Sequence, residues 1–290
     1  MQNTGLSLDF EELLRFYAEA GVDAPLSEEP VDQFAVGERA RSAAPIQKQA
    51  TSQYAAHPDR GGRQPRPAPA PSPHSKPVQA ASDLPDTAQI ALAREAAAQA
   101  ASLEELRAQL AAFDGCNLKF TAKNLCFSDG TPFSDIMFVG EAPGRDEDLE
   151  GVPFVGKSGQ LLDRMIEAIG LKRDQVYIAN TIPWRPPGNR TPTPLETELC
   201  RPFIERQIEL SAPKILVALG GPASKVLTGA SEGILRLRGN WKVHRTASGT
   251  EIPVMPTLHP AYLLRTATQK RFAWRDFLAV KIKLAELKDQ

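Results

Sequence analysis

The stretch Asp135–Gln160, DIMFVGEAPGRDEDLEGVPFVGKSGQ, predicts the local fold around it. It opens with the apolar run 136–139, which is typical of a buried parallel strand. The loop Gly140–Gly144 follows, and its glycines let backbone N–H groups come close to a ligand. After the tight segment Gly151–Gly156, apolar residues recur at helical spacing over 161–169. A strand, two loops and a helix in this order indicate a pocket at the carboxyl end of a strand in an α/β protein.

The rest of the second half of the chain repeats this alternation of strands and helices. The predicted strands are 135–139, 175–179, 214–219 and 252–258. The predicted helices between and after them are 158–169, 194–211, about 222–228 and 269–288. Upstream, the alanine-rich segment 87–113 predicts one or two further helices. The alternation indicates a mainly parallel sheet that is covered by helices on both faces.

Polar side chains stand where three of the four predicted strands end. The residues at the four strand ends are Glu141, Asn180, Gly220 and His259. Because the carboxyl ends of parallel strands meet at one edge of a sheet, we expect these side chains to lie together. A carboxylate, an amide and an imidazole can do chemistry or recognise a base, so this edge is the predicted functional site. Taken one at a time, these residue types more often serve as caps, turn residues or structural histidines.

The first third of the chain has a different composition. Residues 1–21 contain a short amphipathic helix, predicted over 8–21. The segment that follows it is either a spacer with no binding role, or it lets the helix dock onto a protein partner or back onto its own domain. Prolines, alanines and serines dominate 22–86, which is predicted to be a disordered linker because it lacks the apolar surface needed for a core. The globular domain is therefore expected at 87–290.

Composition excludes several classes of protein. The net charge of −1 means that any contact with nucleic acid comes from a local basic face. The three cysteines are too few and too scattered for a disulfide framework. The sequence contains no apolar run of membrane-spanning length, and its first residues do not resemble a secretion signal. We expect a cytoplasmic, nucleoid-associated protein, with nothing in the sequence that points beyond a monomer.

Several long motifs in this order resemble those of the family 4 uracil-DNA glycosylases, within the uracil-DNA glycosylase superfamily. The similarity covers about 112–287. The motifs are GEAPGRDEDLEGVPFVGKSGQLLD at 140–163, YIANTIPWRPPGNRTPTP at 177–194, ERQIELSAPKILVALG at 205–220 and TLHPAYLLR at 257–265. The resemblance implies a three-layer α/β/α sandwich around a four-stranded, mainly parallel sheet. It also implies cleavage of the N-glycosidic bond of deoxyuridine in DNA, which leaves an abasic site for base excision repair.

The resemblance assigns roles in the pocket residue by residue. Phe154 resembles the aromatic residue that stacks on uracil, and Asn180 resembles the amide that pairs with the uracil edge after base flipping. His259 resembles the histidine that donates to uracil O2 as negative charge develops there. Glu141 stands at the carboxylate position that orients water or stabilises the oxocarbenium-like sugar. The amides of Ala142 and Gly144 are expected to help hold the base.

The expected DNA contacts lie around this pocket. A basic, proline-stiffened loop at 185–192 contributes cations, and the segment 259–265 offers an apolar wedge beside a cation, which suits the gap left by an extruded base. A C-terminal helix adds further cations for phosphate contacts. The residues expected to touch DNA are Arg185, Arg190, Leu263, Leu264, Arg265, Lys270 and Arg271.

The chain departs from the family at the positions that hold a four-iron, four-sulfur cluster. Cys116 and Cys200 stand at two of the cluster positions, but Lys119 and Trp184 replace the other two cysteines. Cys126 lies in a different local context. Because such a cluster uses four thiolate ligands, we predict that this protein has none and that it needs no metal or other cofactor. Trp184 is expected to fill the vacated space.

Some iron–sulfur relatives carry a histidine in the loop after the second strand that attaches covalently to the sugar. The loop 185–194 contains no histidine here. We therefore expect turnover as a monofunctional glycosylase, without a trapped adduct or lyase activity. Three alternatives stay open: a catalytically inactive DNA-binding relative, a glycosylase for another deaminated base, and an enzyme that binds phosphate on the loop 140–144. The last is disfavoured because the loop lacks the usual phosphate-binding glycine patterns.

Overall fold

The computed structural model describes residues 86–288, and within them six strands form one sheet in the order β1-β3-β2-β4-β6-β5. The four central strands are parallel, while the two edge strands run antiparallel to their neighbours. The strands are β1 (Asp129–Gly130), β2 (Ile136–Gly140), β3 (Tyr177–Asn180), β4 (Ile215–Leu219), β5 (Lys242–Arg245) and β6 (Glu251–Thr257).

The four parallel strands are the four that the sequence predicted, and the α/β class is confirmed. The predicted strand count was too low, because β1 and β5 were missed. β1 is only two residues long, and β5 reads Lys-Val-His-Arg, which has too few apolar residues to show a strand pattern. Both lie at the edges of the sheet, where strands are short and polar in many proteins.

The helices cover both faces of the sheet and occupy every predicted position, and four short ones at 118–121, 145–150, 234–237 and 260–265 lie outside the predicted ranges. They are α1 (Asp86–Gln99), α2 (Leu103–Ala112), α3 (Leu118–Thr121), α4 (Arg145–Glu150), α5 (Lys157–Ala168), α6 (Pro194–Ser211), α7 (Gly221–Thr228), α8 (Ile234–Leu237), α9 (Pro260–Arg265) and α10 (Lys270–Lys288). Single 3₁₀ turns lie at Arg173–Gln175, Pro187–Asn189 and Ala267–Gln269.

The alternation of side chains along β2 separates two cores. Met137 and Val139 point to the face covered by α1, α2 and α6, whereas Ile136 and Phe138 point to the face covered by α5 and α10. On the second face, Phe138 stacks on Phe277 of α10 with ring centroids 5.8 Å apart. The three-layer α/β/α architecture that the family resemblance implied is therefore present.

The longest helix on the first face starts directly after the basic loop and owes its position to local signals. Thr193 caps α6 by accepting from the Glu196 N–H at 3.2 Å, and the Glu196 carboxylate accepts from the Thr193 N–H at 2.7 Å. This reciprocal capping box, followed by Pro194 at the first helical position, sets the start of the helix. The loop 185–192 is thereby fixed at its carboxyl end.

The predicted N-terminal helix at 8–21 and the predicted linker at 22–86 lie outside the described residues, apart from the first residue of α1. The two stay predictions from composition.

Candidate active site

A cleft of about 450 Å³ opens at the carboxyl edge of the parallel strands. The residues at the ends of β2, β3 and β6 line it together with the loops that follow them. Four predicted site residues meet there, namely Glu141, Phe154, Asn180 and His259. Ala142, Gly144, Arg190 and Arg265 also line the cleft. The sequence-based expectation that the polar strand ends converge is therefore realised in the structure.

Gly140, the last residue of β2, brings two of these side chains together. A Cβ atom added to Gly140 would lie 2.4 Å from Oδ1 of Asn180 and 2.5 Å from Cζ of Phe154. Contacts this short do not occur for real Cβ atoms, so the position accepts only glycine in this arrangement. The absent side chain is what lets the amide and the aromatic ring converge over the strand end.

Asn180 presents an unpaired oxygen in this arrangement. The residue is only 5% exposed, and within the described part of the chain its buried Oδ1 has no hydrogen-bond partner. Leaving a buried acceptor unpaired costs about 1–3 kcal/mol, so native structures seldom contain one without a reason. The amide oxygen is thus placed to accept a hydrogen bond from a donor group that enters the cleft.

Phe154 is both a core residue and a wall of the cleft. It is 4% exposed and packs in the core on the α5 side of the sheet. Its φ angle of 57° lies in the left-handed region, which is strained for a phenylalanine. Gly159 makes this conformation possible, because a Cβ there would lie 1.8 Å from the Phe154 carbonyl oxygen. Phe154 is therefore at once part of the core and part of the cleft wall.

An arginine anchors the loop that carries Phe154. Arg173 donates to the carbonyl oxygen of Pro153 at 2.8 Å and forms ion pairs with Asp129 and Asp163 at 2.6 Å each. One guanidinium thus joins β1, α5 and the 151–156 loop. Hydrogen bonds to charged groups are stronger than neutral ones, so this anchor supports the strained residue beside it.

His259 has a defined tautomer at the cleft. It caps α9, and its Nδ1 accepts from the Ala261 N–H at 3.1 Å. A nitrogen that accepts cannot carry the proton, so the neutral ring carries its proton on Nε2. Burial, helped by the positive charge of Arg265, lowers the pKa of His259 to about 4. The ring is therefore a neutral N–H donor at physiological pH, and it lies 5.7 Å from the Phe154 ring, centroid to centroid.

Glu141 follows β2 directly and is held through its backbone. Its carbonyl oxygen accepts from the Ile182 N–H at 2.9 Å and from the Thr181 hydroxyl at 2.8 Å. Its carboxyl group forms no ion pair within residues 86–288, and burial raises its pKa above the ordinary glutamate value. An uncompensated carboxylate at the cleft suits interaction with a positive or proton-donating species.

Glu147 is the site residue that sequence reasoning missed. Its position in the sequence indicates no more than a first-turn acid of α4, yet its carboxylate accepts from the Gly144 N–H at 3.0 Å and from the Gly156 N–H at 3.1 Å. One buried side chain therefore ties the loop after β2 to the loop before α5. The Gly144 amide, expected to hold the base, is engaged by Glu147 in the structure. The sequence offered one signal for this role, since Gly144 and Gly156 stand on either side of the acidic segment that contains Glu147.

The residues expected to touch DNA fall into two groups. Arg185 donates to Asn189 at 2.7 Å, and Arg190 forms an ion pair with Glu196 at 2.6 Å, so both stabilise the loop 185–192. Leu263 is buried in the core, whereas Leu264 beside it is 48% exposed. Arg265, Lys270 and Arg271 are also exposed.

The two cysteines at cluster-ligand positions lie side by side in the core on the α6 side of the sheet. Cys116 and Cys200 are both free thiols, and their hydrogen bond lowers the pKa of Cys116. Trp184 is 3% exposed in the same core, while Lys119 turns away to an ion pair with Asp114 at 2.5 Å. Two thiols, an indole and a paired ammonium do not form the donor set of a four-iron cluster.

The fold and the cleft define an α/β protein with an amide, a neutral imidazole, a carboxylate and an aromatic ring around one pocket. A family model described as the uracil DNA glycosylase superfamily matches residues 127–279. The chain therefore belongs to the uracil DNA glycosylase superfamily.

Individual relatives narrow this placement. The type-4 uracil-DNA glycosylase of Sulfurisphaera tokodaii is 39% identical over 188 residues, which is 62% of this chain and 84% of the relative. That of Archaeoglobus fulgidus is 40% identical over 168 residues, covering 56% of this chain and 83% of the relative. That of Thermotoga maritima is 41% identical over 159 residues, covering 53% of this chain and 79% of the relative.

Among residues 86–288, no helix is long and apolar enough to cross a membrane.

Proposed function

We propose that this protein is a monofunctional uracil-DNA glycosylase, a hydrolase that flips deoxyuridine out of DNA and cleaves its N-glycosidic bond. The observation that carries the proposal is the unpaired, buried Oδ1 of Asn180 in the cleft. Uracil presents an N3–H donor beside the O4 acceptor, which matches an amide oxygen and an amide N–H. Cytosine presents the reverse order of donor and acceptor, so the same amide disfavours it.

Hydrolysis needs stabilisation of the departing base. Negative charge develops on uracil O2 as the glycosidic bond breaks. The Nε2–H of the neutral His259 ring donates a hydrogen bond to this oxygen. A preorganised donor in a partly dry site contributes most where charge develops during the reaction. Burial keeps His259 neutral, so the donor is present across the physiological range.

Glu141 acts on the sugar side of the bond. Its carboxylate has no cationic partner in the described chain, so its charge is available to the oxocarbenium-like sugar or to the attacking water. The Glu141 carbonyl oxygen accepts from the Thr181 hydroxyl and the Ile182 N–H, and these two hydrogen bonds fix the residue relative to β3.

The product is an abasic site rather than a nicked strand. Lyase chemistry requires an amine that forms a Schiff base with the sugar, and no lysine is among the residues that line the cleft. The loop 185–192 likewise offers no histidine for a covalent adduct. We propose that the enzyme works without an iron–sulfur cluster or other cofactor, since Trp184 and Lys119 leave only two cluster thiols.

The proposal also places the protein on DNA. Leu264 and Arg265 lie on α9 at the cleft. An exposed leucine beside a cation suits the gap that an extruded base leaves in the stack. Lys270 and Arg271 supply phosphate contacts. The protein would act as a monomer on single- or double-stranded DNA in the cytoplasm, near the nucleoid, and the N-terminal helix is proposed to bind a protein partner.

The test is release of uracil from a labelled oligonucleotide that carries one deoxyuridine, with alkali cleavage as the readout. We expect strand cleavage only after alkali, and no product from the same oligonucleotide with deoxycytidine. Asn180→Ala should lower the rate by about two orders of magnitude or more, since a pocket built to pair a polar edge depends on that group. Asn117→Ala, an exposed asparagine without a side-chain capping bond, is the matched control. Binding of DNA with no alkali-labile product would favour the inactive relative.

A further inference from the structure

The first two turns of α10 carry an exposed face, of which the proposed function uses only Lys270 and Arg271, for phosphate contacts. Lys270, Arg271, Trp274 and Arg275 lie on it, at the i, i+3 and i+4 spacings that place side chains on one side of a helix. The opposite side is buried through Ala273, Asp276 and Phe277. Trp274 is 43% exposed, although tryptophan is usually well buried. These four residues are called the α10 face below.

A phenylalanine on the same helix holds the guanidinium groups in place. Arg271, Arg238 and Arg275 lie over the ring of Phe272, with Cζ atoms 4.7, 5.2 and 5.9 Å from its centroid. Arg238 is neutralised by an ion pair with the buried Asp276. Within residues 86–288, neither Arg271 nor Arg275 has an acidic partner. Two fixed cations without counter-charges are thus presented next to an exposed indole.

The α10 face is continuous with the cleft. Phe272 packs against the small core formed by Leu258, Leu263 and Ala273, and Tyr262 packs there as well. Tyr262 and Arg265 of α9 line the cleft itself. Through this shared core, the start of α10 lies beside the wall of the cleft that α9 forms.

We propose that the α10 face is an accessory site for single-stranded DNA that flanks the extruded nucleotide, an inference that rests on the proposed function. Arg271 and Arg275 bind successive phosphates, and Trp274 stacks on an adjacent base. Stacking on an aromatic residue between cations is how proteins hold single strands without reading their sequence. The cations alone would also suit an acidic peptide, but the exposed indole between them favours an unpaired base.

The charge part of the proposal is tested by the salt dependence of binding to a short single-stranded oligothymidylate, which the enzyme does not consume. The double variant Arg271→Gln/Arg275→Gln should bind more weakly, and its slope of log affinity against log salt should be smaller by about 1.4, at about 0.7 per lost phosphate contact on a single strand. Lys281→Gln, an exposed charge further along α10, is the matched control and should leave the slope unchanged. An unchanged slope in the double variant would overturn the proposal.

The stacking part is tested with the same probe. Trp274→Ala should weaken binding about tenfold, and Trp274→Phe should restore most of it because a phenyl ring still stacks. Tryptophan fluorescence should be quenched by the oligothymidylate in the wild type and in Trp241→Phe, but not in Trp274→Phe. Equal affinities of the alanine variant and the wild type, or a quench that survives Trp274→Phe, would rule out base stacking there.

Uracil release by the wild type separates the two proposals. If the wild type releases no uracil, the proposed function fails whatever the binding data show. If it releases uracil while the Arg271→Gln/Arg275→Gln variant keeps the wild-type salt slope, the cleft is an active site and the α10 face is not part of the DNA interface. Competition of the oligothymidylate by an acidic peptide at equal concentration would assign the face to a protein partner and overturn the proposal.

Discussion

Replacing Gly140 with alanine places one methyl group beneath both side chains that define the cleft. The new Cβ would lie 2.4 Å from Oδ1 of Asn180 and 2.5 Å from Cζ of Phe154. The main chain at this point cannot yield easily, because Gly140 is in register with Asn180 on β3, and Val139 pairs with Ala218 on β4. The amide and the ring must therefore move.

The size of the movement follows from these distances. Real Cβ contacts essentially never fall below 3.0 Å, so the Asn180 oxygen must shift by at least 3.0 − 2.4 = 0.6 Å. An ordinary contact of 3.4 Å requires 3.4 − 2.4 = 1.0 Å. Misplacing a positioning group by about 1 Å costs about 100-fold in rate, which corresponds to about 2.7 kcal/mol of transition-state stabilisation. Overpacking should also lower the free energy of unfolding by about 1–3 kcal/mol.

The assay is kcat/KM for uracil release by Gly140→Ala, with thermal unfolding measured on the same preparation to confirm that the variant is folded at the assay temperature. Gly233→Ala is the matched control, because that glycine has a φ of −69° and no atom within 4 Å of an added Cβ. A folded Gly140→Ala variant with kcat/KM within about threefold of the wild type would refute the idea that Asn180 and Phe154 must converge there.

Three further predictions concern pH, loop anchoring and the core. Because burial raises the pKa of Glu141, its carboxylate should become protonated, as pH falls, before His259 becomes charged near its pKa of about 4. The fall in single-turnover rate above the pKa of His259 should therefore be absent from Glu141→Gln, which should be slower at all pH values. A fall that persists in that variant above this pKa belongs to another group. Glu147→Gln should lower the free energy of unfolding by about 1–3 kcal/mol, because the NH₂ group of the glutamine would face a backbone N–H that the carboxylate now accepts from. The same variant should have a lower kcat/KM. An unchanged denaturant midpoint would contradict this prediction. Trp184→Ala should lower the free energy of unfolding by about 3–5 kcal/mol, measured by denaturant unfolding, because it leaves a cavity in the core. The wild-type protein should show no iron–sulfur absorption in the visible range.

The sequence carried the parts of the site that depend on local pattern. Apolar runs ending in a polar residue located β2, β3 and β6, and parallel connectivity then placed Glu141, Asn180 and His259 at one edge. These inferences needed only the apolar periodicity of each segment and the alternation of strands and helices, and both can be read from neighbouring residues. The family resemblance supplied the predicted role of each residue. Residue type alone would have favoured caps, turn residues and a structural histidine.

What sequence reasoning missed depends on contacts between distant residues. Glu147 looks like any first-turn acid, because its two glycine partners are chosen by how two loops fold back on each other. Leu263 and Leu264 are adjacent and chemically identical, and only the packing of α9 decides that the first is buried. The tautomer of His259 likewise follows from the cap of α9, which is a three-dimensional feature.

The backbone conformation of Phe154 separates two properties of the pocket. The direction in which residue 154 projects is set by a left-handed main chain that rests on Gly159, so the width of the pocket belongs to the segment 151–159 as a unit. In the proposed function, the choice between uracil and cytosine belongs to a single amide, Asn180. If the proposed function holds, admitting a larger base requires rebuilding the 151–159 segment. Changing the choice between uracil and cytosine requires a change at Asn180 alone.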